Sequence, residues 1–392
     1  MSLEHALINP ADTDEIRAIS EILSWAFAFP PADAESWMRK GGLEHFRIVR
    51  RGKNPIACLI QIPMGQFFGG RSIPMVGIAG VATAAHARGT GVATDMMRAT
   101  LRELHRNGIP LSTLYPATRP LYRRVGYEPA GGRYMLSLPL RALSAADRSL
   151  AVTPIAPENE GAVREAYTEF ARQEPGHLDR GEYVWGRVKN PRGEKAQGYC
   201  IERKGRVEGY VYLLQKKTEG IHFDLQVTDI LARTAAAGRR ILALLADHGT
   251  TGSMVRWYTG PSGIFLQLLQ DIGFEIQSSD HWMLRIVDVA QALSARGYPD
   301  GLESELHLDI HDDIIDENNG RFVLKVASGT GSVEKGGHGH LRMDIRGLAP
   351  LYSGYLTAYS LAASGLLDGA GAELAKAAAI FYGAAPWMPD MF

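Results

Sequence analysis

Arg88, Gly89, Thr90, Gly91, Val92 and Ala93 follow the apolar run 73–81 and precede a stretch in which Met96, Met97, Leu101 and Leu104 recur at helical spacing. The order reads as strand, glycine turn, helix start. Backbone N–H groups gather at such a point without carbonyl partners, and the helix dipole is positive there, so the loop suits a phosphate. The spacing Arg-x-x-Gly-x-Ala is neither a Walker loop nor the dinucleotide Gly-x-Gly-x-x-Gly. A glycine loop before a helix is commonly a plain turn, and here the flanks give it weight. Residues 73–81 are apolar with small side chains, as in a buried strand with a bulge. Residues 109–115 read as a second buried strand, and 122–128 as a short helix and turn.

Other residues capable of chemistry are fewer. The tail Trp387-Met388-Pro389-Asp390-Met391-Phe392 is apolar and aromatic, and Pro386 and Pro389 stiffen it. Loose tails are usually polar, so this one is expected to be docked, with its α-carboxylate fixed in place. Trp25, Phe27, Phe29 and Trp37 place four aromatics within thirteen residues, suited to stacking or cation–π contact with an amine, and equally to core packing. His338 and His340 alternate on a strand and point the same way. No further Cys or carboxylate completes a site, so no metal is expected.

The elements that must position these groups can be read from pattern. Residues 12–27 form an amphipathic helix with Ile16, Ile19, Ile22 and Leu23 on one face and Asp12 or Thr13 as cap. Residues 46–49 and 56–64 read as strands joined by a turn at 51–54, with a second connection at 65–70. A helix at 157–173, a hairpin at 199–214, a strand at 221–231, a helix at 234–248 and a strand at 254–258 repeat that order. The loop of this second copy is Arg233-Thr234-Ala235-Ala236-Ala237-Gly238. Ala236 stands where the first copy has Gly91, and its Cβ would crowd a phosphate, so the second copy is expected to be structural. A third unit begins near residue 285, with a helix at 290–296 ending at Gly297, strands at 306–310, 321–326 and 340–345, a hairpin turn at Asn318-Asn319-Gly320, and two closing helices.

Composition narrows the class. The chain has 392 residues, more than one ordinary core accommodates, and its 45% hydrophobic and 22% charged content is that of a globular protein. A formal net charge of -1 gives no broad nucleic-acid-binding surface. Cys58 and Cys200, far apart and without metal spacing, form no disulfide framework and point to a reducing cytoplasm. Residues 1–9 include early polar and acidic side chains and no long apolar run, so no signal peptide is expected. The most apolar later stretches are too short to span a bilayer, so no membrane partner is expected.

The Arg-x-x-Gly-x-Ala loop, its flanking strands and the segment Tyr122-Arg123-Arg124-Val125-Gly126-Tyr127 resemble the acetyl-CoA-binding core of the GNAT acetyltransferases. The repeat of that order and the β-rich third unit extend the resemblance to the whole chain. Trp282 to Val289, Ala292 to Tyr298 and the aromatic C-terminus are similar to the enhanced-intracellular-survival (Eis) family. The resemblance implies mixed α/β sheets in tandem GNAT folds followed by a sterol-carrier-protein-like domain. The domains expected are 1–145, catalytic and acetyl-CoA-binding; 146–284, degenerate; and 285–392, carrying the C-terminus into the active site.

What the resemblance implies for chemistry is specific. Members acetylate amines from acetyl-CoA as cosubstrate, can modify aminoglycosides, and assemble as hexamers. Tyr122 falls on the family's general acid and the Phe392 α-carboxylate on its general base. An amine must lose a proton before it attacks a thioester, and the departing thiolate needs one. A tyrosine with an ordinary pKa of ~10 donates slightly uphill to a thiolate, whose thiol has a pKa of ~8.5. Val81, Ala82 and Thr83 are expected to meet the pantetheine arm, and Arg88, Gly89, Thr90, Gly91, Ala93 and Thr94 the pyrophosphate. Trp25, Phe27, Phe29 and Trp37 are expected to wall the acceptor pocket, and Asp390 to hold a cationic acceptor if it is not otherwise engaged. Asp33 is shifted from the family's acidic position, which weakens the case for polycations. The expected acceptor is a primary amine of a small polyamine or aminoglycoside. The alternatives are a protein-lysine acetyltransferase and a non-catalytic lipid-binding or regulatory protein.

Overall fold

The computed structural model describes residues 3–143, 146–271 and 273–392. The first stretch of chain forms β1 (Leu3–Leu7), α1 (Thr13–Phe27), α2 (Pro31–Gly41), β2 (Phe46–Arg51), β3 (Asn54–Phe68), β4 (Arg71–Thr83), α3 (Val92–Arg106), β5 (Leu111–Leu114), α4 (Arg119–Arg123) and β6 (Glu128–Pro139). The second forms β7 (Ala151–Pro154), α5 (Pro157–Ala171), β8 (Leu178–Asp179), α6 (Glu182–Lys189), β9 (Gln197–Arg203), β10 (Arg206–Lys217), β11 (Phe223–Ala232), α7 (Ala235–Ala246), β12 (Gly252–Thr259), α8 (Ile264–Leu268) and β13 (Glu275–Ile286). The third forms α9 (Val289–Ala295), β14 (Ser304–His311), β15 (Gly320–Ala327), β16 (Thr330–Lys335), β17 (Leu341–Asp344), α10 (Ile345–Ser353), α11 (Ala358–Ala363), β18 (Asp368–Gly369) and α12 (Gly371–Ile380). Among the described residues no helix is long and apolar enough to cross a membrane.

Backbone contacts group the chain into two compact units that do not follow sequence order. The first holds Met1–Gly131, Trp282–Ala384 and Met391–Phe392; the second holds Gly132–His281 and Ala385–Asp390. The expected boundary after residue 145 falls beside Ser144 and Ala145, outside the described residues.

In the first unit α1 starts where the Asp12 carboxylate accepts the N–H groups of Asp14 and Glu15, and it buries Ile16, Ile19 and Leu23. Strands β1 to β4 run antiparallel in sequence order, and β5 joins β4 in parallel. Residues Trp282–Ile286 then cover the far side of β5, with Met283 opposite Leu114 and Ile286 opposite Leu111. Helix α3 packs Val92, Met96, Met97, Leu101 and Leu104 into the core beneath this sheet, as their spacing predicts. The connection expected at 65–70 is shorter than the sequence suggests. Strand β3 continues to Phe68, because Gln66, Phe67 and Phe68 are buried and Phe68 packs edge-on to Tyr352. Only Gly69 and Gly70, both at positive φ, make the turn.

The sterol-carrier-like segment belongs to the same unit. Its sheet has the order β16-β15-β14-β17-β18. Gly69 and Gly297 approach so closely that a Cβ on Gly297 would lie 1.8 Å from the Gly69 carbonyl oxygen. Strands β14 and β15 are not joined by a tight hairpin turn at 318–320. Pairing starts at Ile310 and Gly320, and the residues between them fold around Asp312. Its carboxylate receives the Arg285 guanidinium, the Ile314 N–H and the Asn318 amide, and Ile314 and Ile315 enter the core beside α3. The chain closes with three helices after β17, where the pattern suggested two.

The second unit repeats the layout. Strands β7, β9, β10 and β11 pair antiparallel, β12 joins β11 in parallel, and β6 from Tyr134 to Pro139 lies along β12. Helix α7 covers the sheet with Ile241, Leu242 and Leu245.

Candidate active site

The site is built where β4 and β5 part. They pair at Met75/Leu111, Val76/Ser112 and Gly77/Thr113, and no further. From Ile78 to Thr83, β4 pairs only with β3. Strand β4 also bulges there: Cys58 faces Ala82 while Ile60 faces Ala79, so β4 carries an extra residue, with Gly80 at φ +58°. The side of β4 away from β3 therefore offers unpaired backbone groups at Val81, Ala82 and Thr83, as a strand edge awaiting a partner does. An amide-bearing chain such as a pantetheine arm matches that edge.

Beyond Thr83 the chain turns through Arg88 to Thr90 into α3. Gly89 and Gly91 have φ of +77° and +87°, conformations that strain any side chain. A Cβ on either would meet no atom within 4 Å, so the glycines line open space. Helix α3 has no side-chain cap; its first backbone bond runs from the Asp95 N–H to the Gly91 carbonyl at 3.0 Å. The amides of Val92, Ala93 and Thr94 thus precede the helical ladder and face that space. Arg88 is exposed, and its Nε donates to the Thr83 carbonyl at 3.3 Å. Thr90 Oγ1 donates to the Ala87 carbonyl at 2.7 Å and fixes the loop. The equivalent end of α7 is closed. Thr234 Oγ1 accepts the Ala237 N–H at 3.2 Å and donates to the Glu208 carboxylate at 2.8 Å. By helix position Thr234, not Ala236, holds the N-cap place that Gly91 has in α3, so the expected crowding by the Ala236 Cβ gives way to a self-capped helix start beside a carboxylate, which repels phosphate.

Tyr122 sits on α4, nine-tenths buried in the core that includes α3, and stacks edge-on to Tyr127 at 6.1 Å. Its hydroxyl has no hydrogen-bond partner among the described residues. Burial pushes its pKa up to about 12, so it stays protonated throughout neutral pH. Phe392 lies at the fork itself. Its ring packs edge-on to Tyr115 at 6.2 Å, and a Cβ on Gly77 would come within 2.6 Å of it. Gly77 and Tyr115 were not singled out by sequence. The only signal was a glycine inside an apolar strand, which marks close approach by something else.

The aromatics of the first helices separate. Trp37 turns inward, edge-on to Phe46 at 5.7 Å and over Gly80, where a Cβ would lie 2.5 Å from its ring. Trp25 is 74% exposed, and Phe27 stacks on Phe29 at 6.0 Å with Phe27 also exposed. Asp33 is exposed in the first turn of α2.

Asp390 is not available for a cationic acceptor. It is buried in the second unit and paired with Arg180 at 2.8 Å, while the same guanidinium binds Asp229, which also accepts the Tyr210 hydroxyl at 2.7 Å. Burial raises the Asp390 carboxyl's pKa against the pull of Arg180. Around it the tail is docked as expected. Arg133 donates to the Pro389 carbonyl at 2.8 Å, and the Trp387 N–H to that of Pro175 at 3.0 Å. In the third segment His307, which the sequence gave no reason to group with His338 and His340, stacks with both at ring distances of 5.0 and 5.1 Å. Its Nδ1 accepts the His338 N–H and its Nε2 bonds Glu305. Among the described residues no group of three or more His, Cys, Asp or Glu converges as metal ligands.

Comparison with known proteins now fixes the family. Acetyltransferase (GNAT) domain models match residues 8–130 and 176–286, and a sterol carrier protein domain model matches 289–389. The crystal structure of a GCN5-related N-acetyltransferase from Anabaena variabilis is 36% identical, with each chain covered over 100% of its length and a TM-score of 0.95. This chain belongs to the GNAT N-acetyltransferases. An N-acetyltransferase of Streptomyces griseus, named as uncharacterized, is 28% identical over 83% of each chain. Eis1 from Mycobacterium abscessus, 19% identical with both chains fully covered and a TM-score of 0.80, shares the fold. The protein is therefore a GNAT with two acetyltransferase domains and a sterol-carrier-like domain, in the fold that Eis1 also has, and the GNAT fold implies use of acetyl-CoA. The open amides before α3 and the free edge of β4 fit that donor.

One consequence is measurable at the loop. Gly91→Ala should weaken acetyl-CoA binding at least ~10-fold, since the new methyl fills the phosphate space and an αL alanine costs ~1–2 kcal/mol locally. The thermal midpoint should fall by only a few degrees, the scale of that local strain. Ala236→Val in the second copy should leave acetyl-CoA affinity unchanged. Calorimetric titration of both variants checks this, and an unaffected Gly91→Ala would move the phosphate site elsewhere.

Proposed function

We propose that this GNAT transfers acetyl from acetyl-CoA to a primary amine of a small polyamine or aminoglycoside by direct attack. The observation that carries the reading is the seat of Phe392 at the fork of β4 and β5, beside Gly77 and Tyr115. The cosubstrate supplies an activated acyl thioester; the rest is done by the chain. Arg88, Gly89, Thr90, Gly91, Ala93 and Thr94 hold its pyrophosphate, and the β4 edge at Val81, Ala82 and Thr83 aligns the arm.

The Phe392 α-carboxylate takes the proton from the attacking ammonium. An α-carboxylate has an intrinsic pKa of ~3.5, and desolvation of that group by the bound substrates would make it a better base. Tyr122 holds the proton that the departing sulfur needs. A phenol at about 12 gives up its proton only as charge builds on that sulfur, which confines its role to the transition state. Trp37 over the bulge walls the acceptor side, and Trp25, Phe27 and Phe29, which the structure sets apart from it, are left to the approach to that wall. The engaged Asp390 takes no part in it. Thiol release with a panel of amines tests the activity, and a panel without turnover would leave the carrier alternative.

The domain architecture supports a homo-oligomer, a hexamer in this reading. Light scattering should give a mass near six times the 42.8 kDa of one chain. A monomer at micromolar concentration would reject it.

A further inference from the structure

The second unit keeps a fork of its own. Strands β11 and β12 pair in parallel at Phe223/Gly252, Leu225/Val255 and Gln226/Arg256, and then separate. Past that point lies a cavity of about 370 Å³, within the range of small-molecule sites. Phe170, Trp257, Tyr258, Phe265 and Trp387 line it. Gly260 admits Trp387, since a Cβ there would lie 2.5 Å from the indole.

The polar groups of this cavity are unevenly served. Glu169 is satisfied by Arg206 and Arg233. Glu174 has no ion-pair partner among the described residues; its one hydrogen bond comes from Trp387 Nε1 at 2.9 Å. His177, edge-on to Trp387 at 4.4 Å, gives it no positive charge, because burial and Arg180 push the imidazole pKa down to about 3. The carboxylate is half-buried without a cation, and burial raises its pKa. Trp257 is almost wholly buried, and its indole N–H has no hydrogen-bond acceptor. A carboxylate short of positive charge and aromatic walls describe one complement: an ammonium group with an apolar body. The end of the fork that would receive phosphate is closed by Thr234 and Glu208.

We propose that this cavity is a second ligand site, which binds a small organic ammonium ion through Glu174 and the surrounding rings. The duplicated fork has exchanged an anionic ligand for a cationic one. The proposal is independent of the roles given to Tyr122 and Phe392.

The test is calorimetric titration of the full-length protein, without acetyl-CoA, with phenylalaninol, tyramine and agmatine. The neutral 2-phenylethanol and the anionic 3-phenylpropionate serve as controls. At least one amine should saturate, and both controls should bind at least ~10-fold more weakly, about 1.4 kcal/mol. Glu174→Gln keeps the acceptor for Trp387 and removes the charge; it should weaken the amine by the same factor. Ser262→Trp, at an exposed position lining the cavity, should block it. Trp25→Ala, in the expected acceptor wall and at an exposed position, should leave this binding unchanged, which separates it from the acetylation site. The proposal falls if no amine saturates below ~10 mM, if 3-phenylpropionate binds as well as the amines, or if folded Glu174→Gln and Ser262→Trp bind like wild type.

Discussion

A tag fused after Phe392 should lower kcat by ~10²-fold or more, the usual scale for a lost general base. Fusion turns the α-carboxylate into an amide and moves the new terminus out of the fork. Deleting Phe392 should do as much, because the carboxylate of a terminal Met391 stops up to ~3.5 Å short. Phe392→Leu should retain much of the activity, since it keeps both the carboxylate and an apolar anchor. Gly77→Ala offers a check away from the terminus. Its methyl would lie within 2.6 Å of the Phe392 ring and must displace it. Steady-state kinetics on oligomer-matched samples decide the matter. A tagged, correctly assembled enzyme that turns over at the untagged rate would end the assignment of the base.

Tyr122→Phe should lower kcat by ~10²–10⁴-fold while acetyl-CoA affinity changes little, as for a group that acts in the transition state. The change removes one oxygen and leaves the stacking on Tyr127, so the fold should hold. The pH profile adds a second test. An ordinary tyrosine ionises near ~10, and activity that depended on it would fall there. With burial holding Tyr122 near 12, its proton is retained as the pH rises, and no falling limb due to this group should occur below about pH 11. A limb at 10 that disappears in Tyr122→Phe would show that the hydroxyl is more hydrated than its burial implies.

The open glycine turn before α3 was legible because its geometry is local. Gly89 and Gly91 are needed where φ is positive, and both sit within a few residues of the amides they expose. The docked tail was legible for a similar reason: Trp387 to Phe392 is too apolar to be left in water. What escaped depends on partners distant in sequence. Nothing near Asp390 announces Arg180 or Asp229, and nothing near His338 announces His307. The extension of β3 to Phe68 was hidden by Gly65, Gly69 and Gly70, which imitate a loop; burial against Tyr352 overrides their local preference. The connection from Asp312 to Asn319 departs from a tight hairpin although Asn-Asn-Gly is a strong turn signal, because a buried carboxylate reorganises it.

The strand that covers β5 comes from the far end of the second copy, at Trp282 to Ile286, while that copy's own sheet begins with residues from the end of the first, Tyr134 to Pro139. A copy whose helix start is closed by Thr234 and Glu208 would ordinarily be free to erode or be excised. Here excision would strip one side of β5 and leave an apolar edge bare to aggregation. Inheritance therefore constrains the two copies as one: the second can change its ligand but cannot be discarded, and a recombinant first domain ending near residue 131 would be an incomplete object.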